Sequence, residues 1–236
     1  DQRCPARSIG AGVVEVLAGG AREARVVGVF SRGCYVGGDG LIVAVGSIAA
    51  GPLHVGGDRG RGVVPVPGTR VRISPECIEF ATGVIDLSVA AVWSPALPSV
   101  EQVRAVMLGL AGLPDCCPPD LEHVWSDVES AVVGGDLEAA RRWLEGRGGG
   151  TTPSGDDLLA GLLLVDATAH RGIDAERRRV ELAARARTTD LSRAFLHWAA
   201  RGASIARISS TSGAGMSLPI GSGSFTSCGN RTVMSS

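Results

Sequence analysis

The stretch Gly146-Arg-Gly-Gly-Gly-Thr-Thr-Pro-Ser-Gly-Asp-Asp-Leu-Leu-Ala-Gly-Leu-Leu-Leu-Val165 joins a flexible loop to an apolar segment. Glycines and a Thr-Pro-Ser-Gly turn come first, and two adjacent carboxylates, Asp156 and Asp157, follow them. This order predicts a helix start preceded by a loop in which a ligand can approach the backbone closely. The free N–H groups of a helix start carry partial positive charge, so the pattern is typical of an anion-binding turn.

Three other interpretations of this glycine turn stay open beside anion binding. In the simplest, Thr152 or Ser154 caps a buried helix, and the two aspartates favour the helix dipole. A nucleotide-binding P-loop is disfavoured because the segment lacks the final Gly-Lys-Ser/Thr. A nucleophilic Ser154 is also disfavoured, because Thr152 stands where the strained nucleophile turn of hydrolases needs glycine.

The anion interpretation assigns a role to every special residue of the turn. The ligand would be held by backbone N–H groups, hydroxyls and one guanidinium, which belong to Arg147, Gly148, Gly149, Gly150, Thr151, Thr152, Ser154 and Gly155. Asp156 and Asp157 would repel a bare anion. They fit if they bind Mg²⁺, or if they accept hydrogen bonds from an amide or carbamoyl group on the same ligand.

The basic residues are unusual, because all 23 of them are arginine and the chain contains no lysine. Schiff-base chemistry, pyridoxal phosphate attachment and a P-loop lysine are therefore excluded from this chain. A cationic contact to phosphate or carboxylate must come from arginine, which favours planar, bidentate recognition. The formal net charge of −1 provides no field that would recruit nucleic acid or an anionic membrane.

The cysteines and histidines show no spacing that is typical of a metal site or a redox motif. None of the six cysteines forms a C-x-x-C pair, although Cys116 and Cys117 are adjacent. The four histidines, at positions 54, 123, 170 and 197, lack metal-ligand spacing. With no signal-like leader and no apolar run long enough for a membrane, we expect reduced thiols and a cytoplasmic location.

Residues 1–97 are predicted to form a β-rich domain, a small barrel or sandwich, because short branched runs alternate with Gly and Pro clusters. The predicted strands are Arg25–Phe30, Leu41–Val45, Val63–Val66, Val71–Ile73, Cys77–Phe80 and Val84–Leu87. The fold class expected for the whole chain is α+β, with a mostly helical second half.

Residues 98–218 are predicted to form that helical domain, which contains the glycine turn. The expected helices cover Val100–Leu110, capped by Ser99, then Asp120–Val133, a helix after the cap Asp136, Ser154–His170, Asp174–Arg187, and a last helix capped by Thr188 or Thr189 and stopped by Gly202. Periodicity places Leu137, Ala140, Trp143 and Leu144 on one face. The run Arg177-Arg178-Arg179 is interpreted as a solvated helix face.

The C-terminal residues contain a second turn of the same kind, Ser209-Ser-Thr-Ser-Gly-Ala-Gly-Met216. Its Ser212 and Gly213 are predicted to face the same ligand as the first turn, and a flexible tail is the open alternative. Residues 219–236 have no helical or strand period and are predicted to be irregular.

The quoted segment Gly146–Gly161 resembles the hallmark G-x-G-x-G-x-T-P-S-G-D-D-x-L-x-G of the AllH-like family. Two further stretches are similar to that family. Arg187-Thr-Thr-Asp-Leu-Ser-Arg-Ala-Phe-Leu196 resembles its T-T-x-L-S helix, and Ser210–Met216 resembles its late Ser-Gly turn. The resemblance extends more loosely over residues 25–218.

The resemblance implies a subunit of the multi-subunit oxamate carbamoyltransferase of anaerobic allantoin breakdown. The implied reaction converts oxalurate and phosphate into oxamate and carbamoyl phosphate, or the reverse, and the implied partners are other subunits and a small anionic metabolite. On this hypothesis Arg147 and the glycine amides hold the anion, and Ser154, Asp156 and Asp157 serve the carbamoyl group or Mg²⁺. The alternative is a non-catalytic subunit that binds an anion to stabilise or regulate a complex.

Overall fold

The N-terminal half is a single ten-stranded sheet that curls into a half-barrel. The computed structural model describes residues 3–38, 41–47, 51–57, 63, 65–94, 97–104 and 117–203. The strands are β1 (Arg3–Pro5), β2 (Ser8–Gly10), β3 (Arg22–Phe30), β4 (Gly33–Gly38), β5 (Leu41–Gly46), β6 (His54–Gly56), β7 (Arg70–Ile73), β8 (Cys77–Phe80), β9 (Gly83–Asp86) and β10 (Ala91–Trp93). One helix, α1 (Ala11–Leu17), follows β2.

The sheet order is β1-β9-β8-β7-β3-β4-β5-β6-β2-β10. The central neighbours β8, β7, β3, β4 and β5 pair antiparallel, whereas β1 with β9, β5 with β6 and β2 with β10 pair in parallel. Alternation along β3 turns Ala24 and Val26 inward, where they join one apolar core with α1. Val13 and Leu17 of that helix are almost fully buried in the same core.

The second half is helical and forms a core of its own. After a 3₁₀ segment, Pro119–Val124, the helices are α2 (Trp125–Val133), α3 (Leu137–Leu144), α4 (Ser154–Ala169), α5 (Ile173–Ala184) and α6 (Asp190–Ala200). Leu121, Leu144, Leu159, Leu163 and Leu196 are fully buried together. Helix α4 is the central element, because it packs against α3, α5 and α6. Among the described residues, no helix combines the length and apolar character needed to cross a membrane.

The α+β fold class is confirmed, and several helix boundaries follow the predicted caps. Asp136 accepts from the amide of Ala139 at 2.9 Å, and Thr189 accepts from that of Ser192 at 3.1 Å. Ser99 and Gln102 exchange reciprocal side-chain bonds before a helical segment at 100–104. The rest of the predicted helix Val100–Leu110 lies outside the described residues.

The prediction of a strand over Val63–Val66 is wrong for residues 63, 65 and 66, which lie in no strand. Pro65 and Pro67 flank Val66, and proline has no N–H to donate to a sheet ladder. The carbonyl of Val66 instead accepts from the amide and hydroxyl of Thr69, which closes a turn.

Three helix predictions also need correction. The predicted helix Asp120–Val133 begins as a 3₁₀ segment and becomes α-helical only at Trp125. Trp143 is exposed and does not share the buried face of Ala140 and Leu144. Arg179 is buried rather than solvated, because its guanidinium donates to Asp166 and to the carbonyls of His170 and Ala200.

Candidate functional site: the glycine turn

The glycine turn, residues 146–153, connects α3 to α4 and forces two close backbone contacts. Gly148 has φ +105°, and a Cβ there would stand 2.8 Å from the amide nitrogen of Ser154. Gly155 is buried in the first turn of α4, where a Cβ would collide with the carbonyl oxygen of Leu144. Glycine is therefore required at both positions for the chain to fold back on itself.

Asp156 holds the turn to the rest of the helical half. Its side chain is buried, with 2% of the residue exposed. Oδ1 accepts from the amide of Gly146 at 2.8 Å, and Oδ2 accepts from the hydroxyl of Thr188 in the α5–α6 loop. Both oxygens of Asp156 are therefore hydrogen-bonded inside the protein, and the side chain links the glycine turn to the loop before α6.

A second bridge runs beside the first. Thr189, the cap of α6, donates from its hydroxyl to the carbonyl oxygen of Thr151 at 2.8 Å. The turn and the α5–α6 loop together border a shallow groove, which is lined by Gly146, Pro153, Ala186, Arg187, Thr188, Thr189 and Arg193.

Not all the amides of the helix start are free. Those of Gly155, Asp156 and Asp157 donate to the carbonyls of Arg147 or Pro153 within the turn. Pro153 is the N-cap, and neither Thr152 nor Ser154 provides a side-chain cap. In the described part of the chain no acceptor is bonded to the amides of six residues, which are Gly148, Gly149, Gly150, Thr151, Thr152 and Ser154.

The same six residues are also accessible. Gly148, Gly149, Gly150 and Thr151 are exposed, and Thr152 and Ser154 are half-buried. An accessible run of unpaired amides next to a positive helix end is what a small anion needs for binding. Of the donor amides predicted from the sequence, that of Gly155 is therefore bonded to the carbonyl of Arg147, and the others have no partner among the described residues.

Three charged or titratable side chains border the turn. Arg147 Nη1 lies 3.1 Å from His123 Nε2, within hydrogen-bonding distance. Asp120 Oδ2 lies 3.2 Å from the position of a Cβ on Gly148. Spacing along the sequence did not reveal His123 or Asp120, because the 3₁₀ segment that carries them lies more than twenty residues before the turn.

Asp157 differs from its neighbour Asp156. It is exposed and receives no side-chain hydrogen bond from the described residues. Its pKa is nevertheless raised, first by partial removal of water around the carboxylate and second by the negative charge of Asp156. The same carboxylate contributes to a raised pKa of Tyr35 on β4, after desolvation of the phenol.

The fit of a metal ion is poor at the predicted Asp156–Asp157 pair. Mg²⁺ prefers one or two free carboxylates with water or ligand oxygens, and both oxygens of Asp156 are already bonded. Within the ranges described, no three His, Cys, Asp or Glu side chains are grouped to hold a metal ion.

The remaining predicted site residues, Ser212 and Gly213, lie outside the described residues, as do the tail 219–236 and Cys116. The described cysteines Cys4, Cys34, Cys77 and Cys117 form no disulfide.

Comparison with known proteins gives one match. Residues 144–219 match the family model described as oxamate carbamoyltransferase subunit AllH. The matched segment contains the glycine turn, α4, α5, α6 and the late Ser-Gly turn, so the AllH-like resemblance is confirmed there. Searches of curated proteins and of solved structures found no match.

Proposed function

From the match of residues 144–219 to the AllH family, we propose that this chain is a carbamoyltransferase subunit that binds a small anionic substrate at the glycine turn. The observation that supports the proposal is the accessible run of unpaired amides of Gly148, Gly149, Gly150, Thr151, Thr152 and Ser154, which directly follows Arg147 in the chain. The ligand class is phosphate, carbamoyl phosphate or a carboxylate such as oxamate, and the partners are further subunits of the enzyme.

The charges around the turn favour a ligand with two different ends. Arg147 and the glycine amides attract an anionic group. The carboxylates of Asp120 and Asp157 repel a bare anion, but they accept hydrogen bonds from an amide N–H. A carbamoyl compound provides an anionic group and an NH₂ group together, so it satisfies both halves of the site.

Asp156 takes a holding role in this proposal, since its oxygens bond Gly146 and Thr188. Ser154, with Thr151 and Thr152, supplies hydroxyls next to the free amides. During phosphorolysis an oxygen of hydrogen phosphate forms a bond to the carbamoyl carbon, the bond from that carbon to the oxamate nitrogen breaks, and this nitrogen takes the proton that the phosphate gives up. Catalysis then rests on positioning and on stabilising the charge that develops on the carbamoyl oxygen.

Calorimetric titration with phosphate, carbamoyl phosphate and oxamate tests the binding step. Arg147→Gln removes a charged hydrogen-bond donor and should weaken phosphate binding about tenfold or more. Arg142→Gln is the matched control, because Arg142 is exposed on α3 and borders no part of the turn. Equal phosphate affinity in both variants would contradict the proposal.

The non-catalytic alternative keeps the same ligand and changes its consequence. It is favoured by one observation, which is that the conspicuous carboxylate Asp156 is engaged in structure rather than free for chemistry. Turnover of the assembled complex separates the two functions. Ser154→Ala and Asp157→Asn should lower turnover at saturating substrate in a catalytic subunit. In a regulatory subunit they should alter only anion affinity or assembly.

A further inference from the structure

A separate cleft of about 640 Å³ lies between the sheet and helix α6. Its volume falls within the range of roughly 300–1,000 Å³ that is typical of small-molecule sites. The sheet side contributes Val27 and Ile42, Leu53 precedes β6, and α6 contributes Arg193 and His197. Nothing in the family description assigns a ligand to this place.

The apolar wall of the cleft is unusual for a strand surface. Val27 points away from the sheet core and is 56% exposed, although β-branched strand residues are normally covered. Together with Ile42 and Leu53 it provides an apolar wall opposite α6. Such a wall binds the hydrocarbon part of a ligand, since apolar surface gains free energy when it leaves water.

The polar wall of the cleft carries the guanidinium of Arg193, which is hydrogen-bonded to the protein and still accessible. Arg193 donates to Asp190 Oδ1 at 3.3 Å and to the carbonyl oxygen of Thr188 at 3.2 Å. Its side chain remains 47% exposed. A guanidinium has five N–H donors, so the two bonds fix its position and leave other donors for a carboxylate.

His197 lies four residues after Arg193, so the two side chains share one face of α6. The pKa of His197 is lowered, mainly by burial and then by the charge of Arg201, while Glu15 and Glu176 oppose the shift. The ring is therefore neutral at pH 7, with one nitrogen that donates and one that accepts. It can bond a hydroxyl or carbonyl group next to a carboxylate held by Arg193.

The acidic residues of the cleft are already paired. Both oxygens of Glu15 accept from Arg201 Nη1 at 2.8 Å. Asp190 pairs with Arg193 and points into solvent, with 85% of its side chain exposed. Both carboxylates that line the cleft are therefore engaged with an arginine, and Arg201 also contacts Glu176 at 3.4 Å.

We propose that this cleft binds a small aliphatic carboxylate, with the carboxylate on Arg193, an adjacent hydroxyl or carbonyl on His197, and the hydrocarbon body against Val27, Ile42 and Leu53. The site is distinct from the glycine turn, and the two adjoin at Arg193, which also borders the turn groove. The proposal does not depend on the anion site of the turn.

Ligand-observed NMR with the full chain tests this site with acetate, butyrate, hexanoate and 2-hydroxybutyrate as probes. Affinity should rise about three- to fourfold for each added methylene group as the chain extends along the apolar wall. 2-Hydroxybutyrate should bind more tightly than butyrate, and His197→Ala should remove that preference. Absence of any chain-length dependence would overturn the proposal.

Two variants locate the binding and keep it distinct from the turn. Arg193→Gln should weaken butyrate about tenfold, and the exposed Arg178→Gln is its matched control. Ala194→Glu places bulk and negative charge inside the cleft, so it should block hexanoate and leave phosphate binding at the turn unchanged. Arg147→Gln should weaken phosphate binding at the turn and leave hexanoate binding in the cleft unchanged. Unchanged hexanoate binding in a folded Ala194→Glu variant would refute the site. Loss of hexanoate binding when companion subunits are added to the chain would refute it as well.

Discussion

At the scale of single residues, the two adjacent aspartates of the glycine turn have different roles. Asp156 is buried with both oxygens bonded, whereas Asp157 is exposed without a side-chain partner among the described residues. Both were predicted as site residues because adjacent carboxylates after a glycine run look equivalent in the sequence. Their difference depends on Thr188, which is thirty-two residues away.

Asp156→Ala should therefore destabilise the chain by about 2–4 kcal/mol, because it leaves the Gly146 amide and the Thr188 hydroxyl without their acceptor. Asp157→Ala is the control and should change the free energy of unfolding by less than about 1 kcal/mol. Urea unfolding monitored by circular dichroism measures both. Similar losses in the two variants would contradict the assigned roles.

The turn glycines offer a second test at this scale. Gly155→Ala drives a Cβ into the carbonyl of Leu144, whereas Gly149→Ala meets no atom within 4 Å. We expect Gly155→Ala to lower the melting temperature by several degrees, which corresponds to about 1–3 kcal/mol for a chain of this size. Gly149→Ala should be close to neutral. If Gly155→Ala melts like the parent chain, the close contact between α3 and α4 is refuted.

Asp157 also predicts a pH dependence. Its pKa is raised in the folded chain, so the folded state binds the proton more tightly than the unfolded state. The protonated Asp157 carboxyl stabilises the folded chain fully at pH values below its pKa in the unfolded chain. This stabilisation is lost as the pH rises through the pKa of Asp157 in the folded chain. Relative to the parent, Asp157→Asn should therefore gain stability between about pH 3 and pH 7. Chemical unfolding across that range measures the difference, and a difference that is flat or of opposite sign would contradict it.

At the scale of elements, local signals explain which parts of the fold could be predicted. The caps Asp136, Thr189 and Ser99 work through residues three positions away, so the sequence contains the whole interaction.

Strand β4 (Gly33–Gly38) has three glycines in six residues and is stabilised by pairing with β3 and β5. Glycine has low strand propensity, so no strand was predicted over this stretch.

Thr189 links two elements and allows a test at this scale. Its hydroxyl caps α6 through Ser192 and also donates to Thr151 in the glycine turn. Thr189→Ala should cost about 1–2 kcal/mol of stability and increase hydrogen exchange of the bonded amides at the two ends of the turn, those of Gly146 and Gly155. Thr189→Ser keeps both bonds and should restore protection. Unaltered exchange in Thr189→Ala would show that the turn does not depend on this cap.

At the scale of the whole molecule, the two halves contact through residues that no local pattern connects. Arg201 at the end of α6 pairs with Glu15 of α1 and lies 4.6 Å above the Trp198 ring. A Cβ on Gly12 would stand 2.5 Å from that same ring. The domain boundary near residue 97 stays a prediction. The contacts of Arg179 show why long-range hydrogen bonds could not be predicted from the sequence. The residues that accept from its guanidinium are nine to twenty-one positions away.

Gly12→Val is the corresponding prediction for the contact between the halves. The added Cβ would stand 2.5 Å from the Trp198 ring and 2.7 Å from the carbonyl oxygen of Pro52. The substitution should therefore destabilise the chain by about 1–3 kcal/mol. Val14→Ala, at an exposed position of α1, is a suitable control for helix α1. Urea unfolding monitored by circular dichroism measures the loss, and a parent-like profile for Gly12→Val would contradict the described packing.

The central claim is that the unpaired amides of the glycine turn bind an anion, and amide NMR tests it most directly. Titration of phosphate or carbamoyl phosphate into ¹⁵N-labelled chain should shift the amides of Gly148, Gly149, Gly150, Thr151, Thr152 and Ser154 in a saturable way. Arg147→Gln should weaken the response, and the bonded amides of Gly155 and Asp156 should move less. Saturable binding that perturbs other amides and leaves residues 148–154 unchanged would contradict the account.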